Sequence, residues 1–383
     1  MKLAIPKERR AHERRVAATP DTVKKLILLG LDVVVEKDAG LMSSIPDSEY
    51  TAAGATIAVD AAETYKDADI IFKVQRPLHA AEGDIDEISL IKAGTILIAI
   101  LSPFTDGASV DAYAKGNITS FAMEFMPRIT RAQSMDVLSS QSNLAGYQAV
   151  IDAAAEFSRA FPMMMTAAGT VAPAKVMIMG CGVAGLQAIA TAKRLGAVVS
   201  ATDVRAAAKE QVESLGGKFV MVESDETGET EAGYAREMSD DYKTKQAALI
   251  AETLAKQDIA ITTALIPGRP APVLITREMV QSMKPGSVII DLAVESGGNC
   301  ELSQAGKTIL ESGVKIIGHY NVPSRVATDA SALYSRNLLN FITPLMDSES
   351  KTLNIDWEDE IITGTLLTKD GVITHERLTK GGN

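Results

Sequence analysis

Short apolar runs alternate with amphipathic stretches along most of the chain, a pattern that predicts strands separated by helices. In the first third, Lys2–Ile5, Leu31–Glu36, Thr56–Val59, Ile70–Val74, Ile96–Leu101 and Ile118–Phe121 read as strands. Thr19-Pro20-Asp21 is a helix start, with a cap and a proline in the first turn, closed by Gly30. Further helices are expected around Ser48–Ala53, Ile85–Ile91 and Val110–Lys115. From Met135 to Phe161, the residues Val137, Leu138, Leu144, Tyr147, Val150, Ile151, Ala154 and Phe157 recur at threes and fours, and Pro162 stops the pattern. Asp329–Leu345 repeats it with Leu333, Leu338, Leu339, Phe341 and Ile342. Both stretches read as connectors between two halves. Met163-Met164-Met165, after the first connector, reads as adaptable packing.

The second half opens with the most informative stretch. The apolar run Val176–Met179 leads into Gly180-Cys181-Gly182-Val183-Ala184-Gly185, an amphipathic run to Gly196, and a second strand, Ala197–Thr202, ending on Asp203. Strand, glycine turn, helix, strand and acid are the parts of a dinucleotide fingerprint. Gly180 lets the chain turn off the strand, Gly182 lets backbone approach a pyrophosphate without a Cβ in the way, and Gly185 lets helix and sheet pack closely. N–H groups at the helix start then face the phosphates. Asp203 stands where an acid accepts hydrogen bonds from the adenosine ribose and repels a 2′-phosphate, which favours NAD(H) over NADP(H). Arg205, two residues on, is the residue that would hold such a phosphate instead.

A helix to Gly216, a strand Lys218–Val222, a helix Tyr242–Lys256, a strand Ile259–Thr263, a helix Glu278–Met283 and strands Ser287–Leu292 and Val314–Ile317 complete this half. Glu223–Asp241, rich in Asp, Glu, Gly and Thr around Tyr234, is too long for an ordinary connection and reads as a lid or a disordered segment. Thr365–Thr368, Lys369-Asp370-Gly371 and Val372–Thr374 signal a hairpin. The expected class is α/β, with two doubly wound, Rossmann-like domains joined by long helices and a cleft between them. Residues 1–134 with 346–383 form the first domain, 135–162 the linking helix, 163–327 the nucleotide domain and 328–345 the return helix.

A length of 383 residues suits two such domains. The formal net charge of −11, with no basic block, argues against nucleic acid or an anionic membrane surface as direct partner. Met1-Lys2-Leu3-Ala4-Ile5-Pro6-Lys7 lacks the apolar core of a signal peptide, and no apolar run is long enough to span a bilayer. Cys181 and Cys300 form no CxxC pair, so a reducing, cytoplasmic setting without disulfide or zinc cluster is expected.

Pro127–Ser140 is a polar run at the expected domain junction, opening a helix on which Gln133, Asp136 and Ser139 are spaced by threes. It reads either as a helix cap with a solvated arginine or as donors and acceptors for a carboxamide and ribose. His12, His79, His319 and His375 show no metal spacing, and His319 follows a strand of the nucleotide half. Lys73 and Arg15 are candidates for a substrate carboxylate, exposure being the default for such residues. A dehydrogenase acting on an alcohol or amine needs an acid or base for the accompanying proton, and the sequence offers no convincing pair.

Five motifs together resemble the soluble NAD(H)-binding component of proton-translocating nicotinamide nucleotide transhydrogenase, over essentially the whole chain. They are Arg128–Asp136, Ser139–Tyr147, the glycine fingerprint with Ala201–Arg205, Thr262–Gly268 and Asn321–Arg325. The resemblance implies an oxidoreductase component of the Re/Si-specific type. Its NADH passes a hydride to NADP⁺ held by an NADP(H)-binding partner domain, and a membrane domain couples that step to proton movement. Such a component is incomplete alone, homodimeric, and held at the cytoplasmic side of the inner membrane through its partners. Matched by position, Arg128, Gln133, Asp136 and Ser139 would line the nicotinamide and its ribose, with Ile129, Thr130, Arg131, Val137 and Leu138 around them. Gly180, Gly182, Val183, Gly185, Asp203, Val204, Arg205, Gln246, Ala264 and Leu265 would hold the rest of the nucleotide, and Gly233-Tyr234 would tip a closing loop. The Glu223–Asp241 segment departs most from the family, being shorter and differently acidic. Hydride passage between two nicotinamides leaves no proton to manage, which accounts for the missing acid–base pair. Alanine dehydrogenase shares the implied fold, and Arg15 and Lys73 match its substrate-binding positions. Its histidine is missing between Thr95 and Asp106, and Glu295 stands at its aspartate position. A nucleotide-sensing module without catalysis is a third reading.

Overall fold

The computed structural model describes residues 1–222, 239–266 and 268–379. The chain divides into two compact units, residues 1–141 with 324–383 and residues 142–323.

The first unit is built on eight strands. β1 (Lys2–Ile5), β2 (Asp32–Glu36), β3 (Thr56–Ala58), β4 (Ile70–Gln75), β5 (Ile96–Ile100) and β6 (Thr119–Ala122) are mutually parallel and lie in the order β6-β5-β4-β1-β2-β3. The order reverses between β1 and β4, as in a doubly wound sheet. Strands covered by helices on both faces are apolar almost throughout, and in β4 every residue but Gln75 is buried.

The second unit begins with a hairpin, β7 (Met164–Thr166) and β8 (Gly169–Val171), that stands apart as its own two-stranded sheet. Its main sheet holds β9 (Lys175–Met179), β10 (Val198–Thr202), β11 (Lys218–Phe219), β12 (Ile259–Thr262), β13 (Val288–Asp291), β14 (Lys307–Glu311) and β15 (Val314–Gly318). The order is β11-β10-β9-β12-β13-β15-β14, parallel except for β14, with the reversal between β9 and β12. β16 (Leu366–Lys369) and β17 (Val372–Ile373) return to the first sheet, where β16 pairs antiparallel with β6 and completes the order β17-β16-β6.

Several local expectations fail for identifiable reasons. Ile85–Ile91 is no helix beyond the single turn Ile88–Leu90, because the N–H groups of Glu87 and Ile88 both donate to the Leu78 carbonyl. The long helix runs Val137–Glu156 rather than from Met135, since Asp136 stops the preceding 3₁₀ segment Thr130–Met135 and caps the helix after it. Helices Ala61–Tyr65 and Glu360–Thr365 and edge strand β14 were not expected. Met163, Met164 and Met165 do not pack within the chain: they are 60%, 42% and 80% exposed at the start of the β7–β8 hairpin.

Lys73 and Arg15 also overturn the default for their residue types. Lys73, inside β4, is 1% exposed and lies between Glu8 (3.4 Å) and Glu87 (3.2 Å). Arg15 donates to Glu13 through Nε (2.8 Å) and Nη2 (2.7 Å) and to Gln141 Oε1 through Nη1 (2.8 Å), while Gln75 donates to the same Glu13 (2.6 Å). Arg9 joins the cluster through Glu36 and Glu87. A buried charge survives only when paired, so these acids and bases stand or fall together. Burial pushes the Glu8 carboxyl up to about 7 despite Lys73, and pushes Glu124, which accepts the Leu101 and Ser102 N–H groups, to about 7 as well. Glu13 goes the other way: burial pushes it up, but the charge and hydrogen bonds of Arg15 outweigh that and hold it at about 2.

Two consequences can be measured. Glu8 and Glu124 have folded values above the ordinary 4.5, so their favourable contribution is complete below about 4.5 and is lost as pH rises through about 7. The denaturation midpoint should therefore fall between pH 5 and 8, and Glu124→Gln should make that fall shallower; an unchanged slope would contradict the assignment. In the second unit, a Cβ on Gly146 would lie 2.0 Å from the Ala184 carbonyl oxygen. Alanine improves helix propensity by about 1 kcal/mol, yet forcing backbone apart costs roughly 1–3 kcal/mol or more. Gly146→Ala should lower the urea midpoint, and a gain in stability would show that the helix yields without cost.

Candidate functional site

β9 ends at the switch point of its sheet, and the chain there does what three glycines permit. Gly180 takes φ +101°, and a Cβ on it would lie 2.7 Å from Thr263 Oγ1, whose hydroxyl donates to the Gly180 carbonyl (3.0 Å). A Cβ on Gly185 would lie 1.8 Å from the Gly180 oxygen, so helix Val183–Arg194 sits directly on the turn. A Cβ on Gly182 would meet nothing within 4 Å. Gly182 is also the N-cap of that helix and supplies no side-chain cap. The helix start thus presents backbone N–H groups to open space, an arrangement suited to an anion.

Asp203 follows β10, whose Thr202 is in register with Met179 of β9. Its carboxylate accepts from the Cys181 N–H (2.7 Å), closing the glycine turn, and from the Arg205 N–H (2.9 Å), Nε (2.9 Å) and Nη2 (3.0 Å). Burial pushes this carboxyl up, but the hydrogen bonds from Arg205 and the backbone outweigh burial and hold it below the usual carboxylate range. Arg205 is thereby engaged with the acid beside it. Val183 and Val204 are each about 40% exposed next to the turn. Cys181, between the glycines, is buried, which pushes its thiol up to about 12 and leaves it inert.

Gln246 and the Ala264-Leu265 loop complete this end of the sheet. Gln246 donates to Thr202 Oγ1 (3.0 Å) and accepts from the Val222 N–H (2.9 Å), so it ties the end of β10 to the root of the following segment. Gly233 and Tyr234 lie outside the described residues. Leu265 is 55% exposed, while Ala264 is held on both sides by Asn299, which accepts its N–H (3.0 Å) and donates to its carbonyl (2.9 Å). Asn299 is itself anchored by Asp291, which accepts the Asn299 N–H (2.8 Å) and the Thr262 hydroxyl (3.1 Å). Sequence reasoning passed over this pair. Its signal was an acid closing an apolar strand, followed by Gly297-Gly298-Asn299.

In the first unit, both readings of the polar run have substance. Asp136 is a helix cap: its carboxylate accepts the Ser139 N–H (2.9 Å) and the Ser139 hydroxyl. Arg131 is exposed and pairs bidentately with Asp359 (2.7 and 2.8 Å). Val137 is fully buried and Ile129 partly so, whereas Arg128, Thr130, Gln133 and Leu138 are exposed. The loop therefore carries Gln133, Asp136 and Ser139 on a hydrogen-bonded turn anchored inward by Ala132, Met135 and Val137. His319 lies 3.8 Å from Asp152, His375 hydrogen-bonds with the Gly364 carbonyl, and burial lowers its pKa. His79 lies near Glu82 and Asp106, but those carboxylates are already taken by Arg10 and Arg76, so the group reads as an ion-pair cluster.

Known proteins match the chain over both units. The family model for the alanine dehydrogenase/PNT N-terminal domain matches residues 4–145, and that for the alanine dehydrogenase/PNT C-terminal domain matches residues 149–376. The chain is 63% identical over 384 residues to the first part of the NAD(P) transhydrogenase subunit alpha of Rhodospirillum rubrum, covering 100% of both. It is similar to the crystal structure of transhydrogenase from Sinorhizobium meliloti, with TM-score 0.88 and 56% identity over 97% of this chain and 100% of that one. Alanine dehydrogenase of Methanococcus maripaludis is 30% identical over 388 residues, 99% of this chain and 96% of that protein.

Proposed function

The chain belongs to the alanine dehydrogenase/PNT family and is a transhydrogenase component related to alpha subunits, and from that premise we propose that it binds NAD(H) and presents it for direct hydride transfer to NADP(H) on a partner domain. One observation carries the reading: the open Gly182 at an uncapped helix start, flanked by the Asp203 carboxylate at the end of the next strand. The helix start receives the pyrophosphate, and Asp203 accepts from the ribose hydroxyls once Arg205 shares or yields its place. Val183, Val204, Gln246, Ala264 and Leu265 border the nucleotide.

Arg128, Gln133, Asp136 and Ser139 take the nicotinamide and its ribose, with Ile129, Thr130, Arg131, Val137 and Leu138 around them. Their work is placement. A hydride moving from one nicotinamide to another adds and removes no proton, so the protein contributes position and exclusion of water.

The Rhodospirillum rubrum relative is named as one portion of a subunit alpha, which supports further partners, here an NADP(H)-binding domain and a membrane proton channel, with this chain held at the cytoplasmic side through them. Among the described residues no helix is long and apolar enough to cross a membrane. A second copy of the chain is supported by the β7–β8 hairpin. Two strands alone are marginal in water, and this pair carries exposed methionines and no charged residue between Pro162 and Pro173. The C-terminal hairpin, by contrast, buries β16 on the first sheet.

The test uses the full chain with its NADP(H)-binding partner and NADH deuterated at C4, reading label in NADPH by mass. Label transfer is expected; alanine-dependent NAD⁺ reduction by the lone chain at comparable turnover would favour alanine dehydrogenase instead, and NADH binding without any label transfer would favour a sensing module. Gln133→Ala should slow transfer far more than it weakens NADH binding, and equal losses would count against ring placement. Asp203→Ala should weaken NADH by about 1–3 kcal/mol, as followed by fluorescence titration, and unchanged affinity would move the ribose elsewhere.

A further inference from the structure

The segment bearing Gln133, Asp136 and Ser139 is held from behind by one buried side chain that has no role in the site as described so far. Asn337 lies on helix Ala327–Ile342 and is 7% exposed. Its Nδ2 donates to the Ser134 carbonyl (2.8 Å), and its Oδ1 accepts the Ser140 hydroxyl (2.7 Å). Asn340, one turn along the same helix face, donates to the same Ser134 carbonyl (3.0 Å). Between the two anchored residues lie Met135 and Val137, buried in the core, and Asp136 and Ser139, hydrogen-bonded to each other. Gln133 precedes the first anchor directly, and its carbonyl receives the Asp136 N–H (3.4 Å).

We infer that Asn337 is a positioning residue for hydride transfer, a two-point clip that fixes where the ring-placing residues stand. This inference rests on the function proposed above. A donor and an acceptor on one planar amide set the separation of Ser134 and Ser140, which a purely apolar contact would leave free to slide. Where a reaction takes nothing from the protein but geometry, small displacements are costly: about 1 Å can cost on the order of 100-fold in rate.

The experiment compares Asn337→Ala, Asn337→Asp, Asn340→Ala and Ser140→Ala in the full chain, measuring deuteride transfer with the NADP(H)-binding partner, NADH affinity and thermal midpoint. Asn337→Asp keeps shape and the acceptor for Ser140 but sets a carboxylate oxygen against the Ser134 carbonyl. Asn337→Ala and Asn337→Asp should each slow transfer by about 10–100-fold while NADH affinity changes less than about threefold and the chain stays folded at the assay temperature. Asn340→Ala should cost less than either. Ser140→Ala added to Asn337→Ala should cost less than it does alone, since both remove the same link. Should Asn337→Ala fail to fold, Asn337→Asp and Ser140→Ala carry the test. Unchanged transfer, losses in rate and affinity that match, or fully additive losses would overturn the inference. If Gln133→Ala separates rate from affinity and the Asn337 variants do not, the clip alone is wrong; if the unaltered chain transfers no label, the function it rests on falls with it.

Discussion

The nucleotide-binding unit depends on a contact that leaves no room for a side chain. The carbonyl of Gly180 lies where a Cβ of residue 185 would be, so the helix after the turn can rest on the strand before it only if that residue is glycine. The rest of the unit's working edge follows from this approach. Thr263 reaches the turn from β12, and Asp203 reaches it from β10 through the Cys181 N–H. Three strands thus meet at the point where the sheet order reverses, which is where an open α/β sheet leaves a crevice. Gly146 extends the constraint, since a long helix passes within reach of the Ala184 carbonyl on the far side of the same first turn.

Around that turn, the polar groups are disposed to fix position rather than to exchange protons. The Asn299 side-chain amide, its backbone N–H held by Asp291, grips the backbone N–H and carbonyl of Ala264, and Gln246 commits both ends of its amide to the fold. Low local dielectric makes each satisfied network stiff and each broken one costly. Such a design suits a reaction whose only demand on the protein is placement.

The first unit solves a different electrostatic problem. Its sheet also reverses order, between β1 and β4, and in this unit Lys73 and Arg15 are buried, and Arg9 half-buried, among Glu8, Glu13, Glu36 and Glu87. The acids there divide by their neighbours: Glu13, chelated by an arginine, is held ionised, and Glu8, sharing one lysine with Glu87, is pushed toward neutrality. The same residue type in the same core takes opposite charge preferences because pairing geometry, not burial alone, decides the outcome.

What the sequence determined by itself is what spacing encodes locally. Apolar runs marked the parallel strands of both sheets, because strands covered on both faces have no polar side to show. Three glycines at fixed intervals between a strand and a helix marked the turn: the φ of Gly180 and the crowding at Gly185 exclude other residues, and Gly182 leaves the helix start open. What only the tertiary structure decided depends on residues far apart in the chain. Nothing near Lys73 announces Glu8 and Glu87, nothing near Ser134 announces Asn337, and three methionines in a row do not reveal that they stand on an exposed hairpin. Burial and pairing are properties of the assembled fold, and they become fixed only when distant segments are brought within a few ångströms of one another.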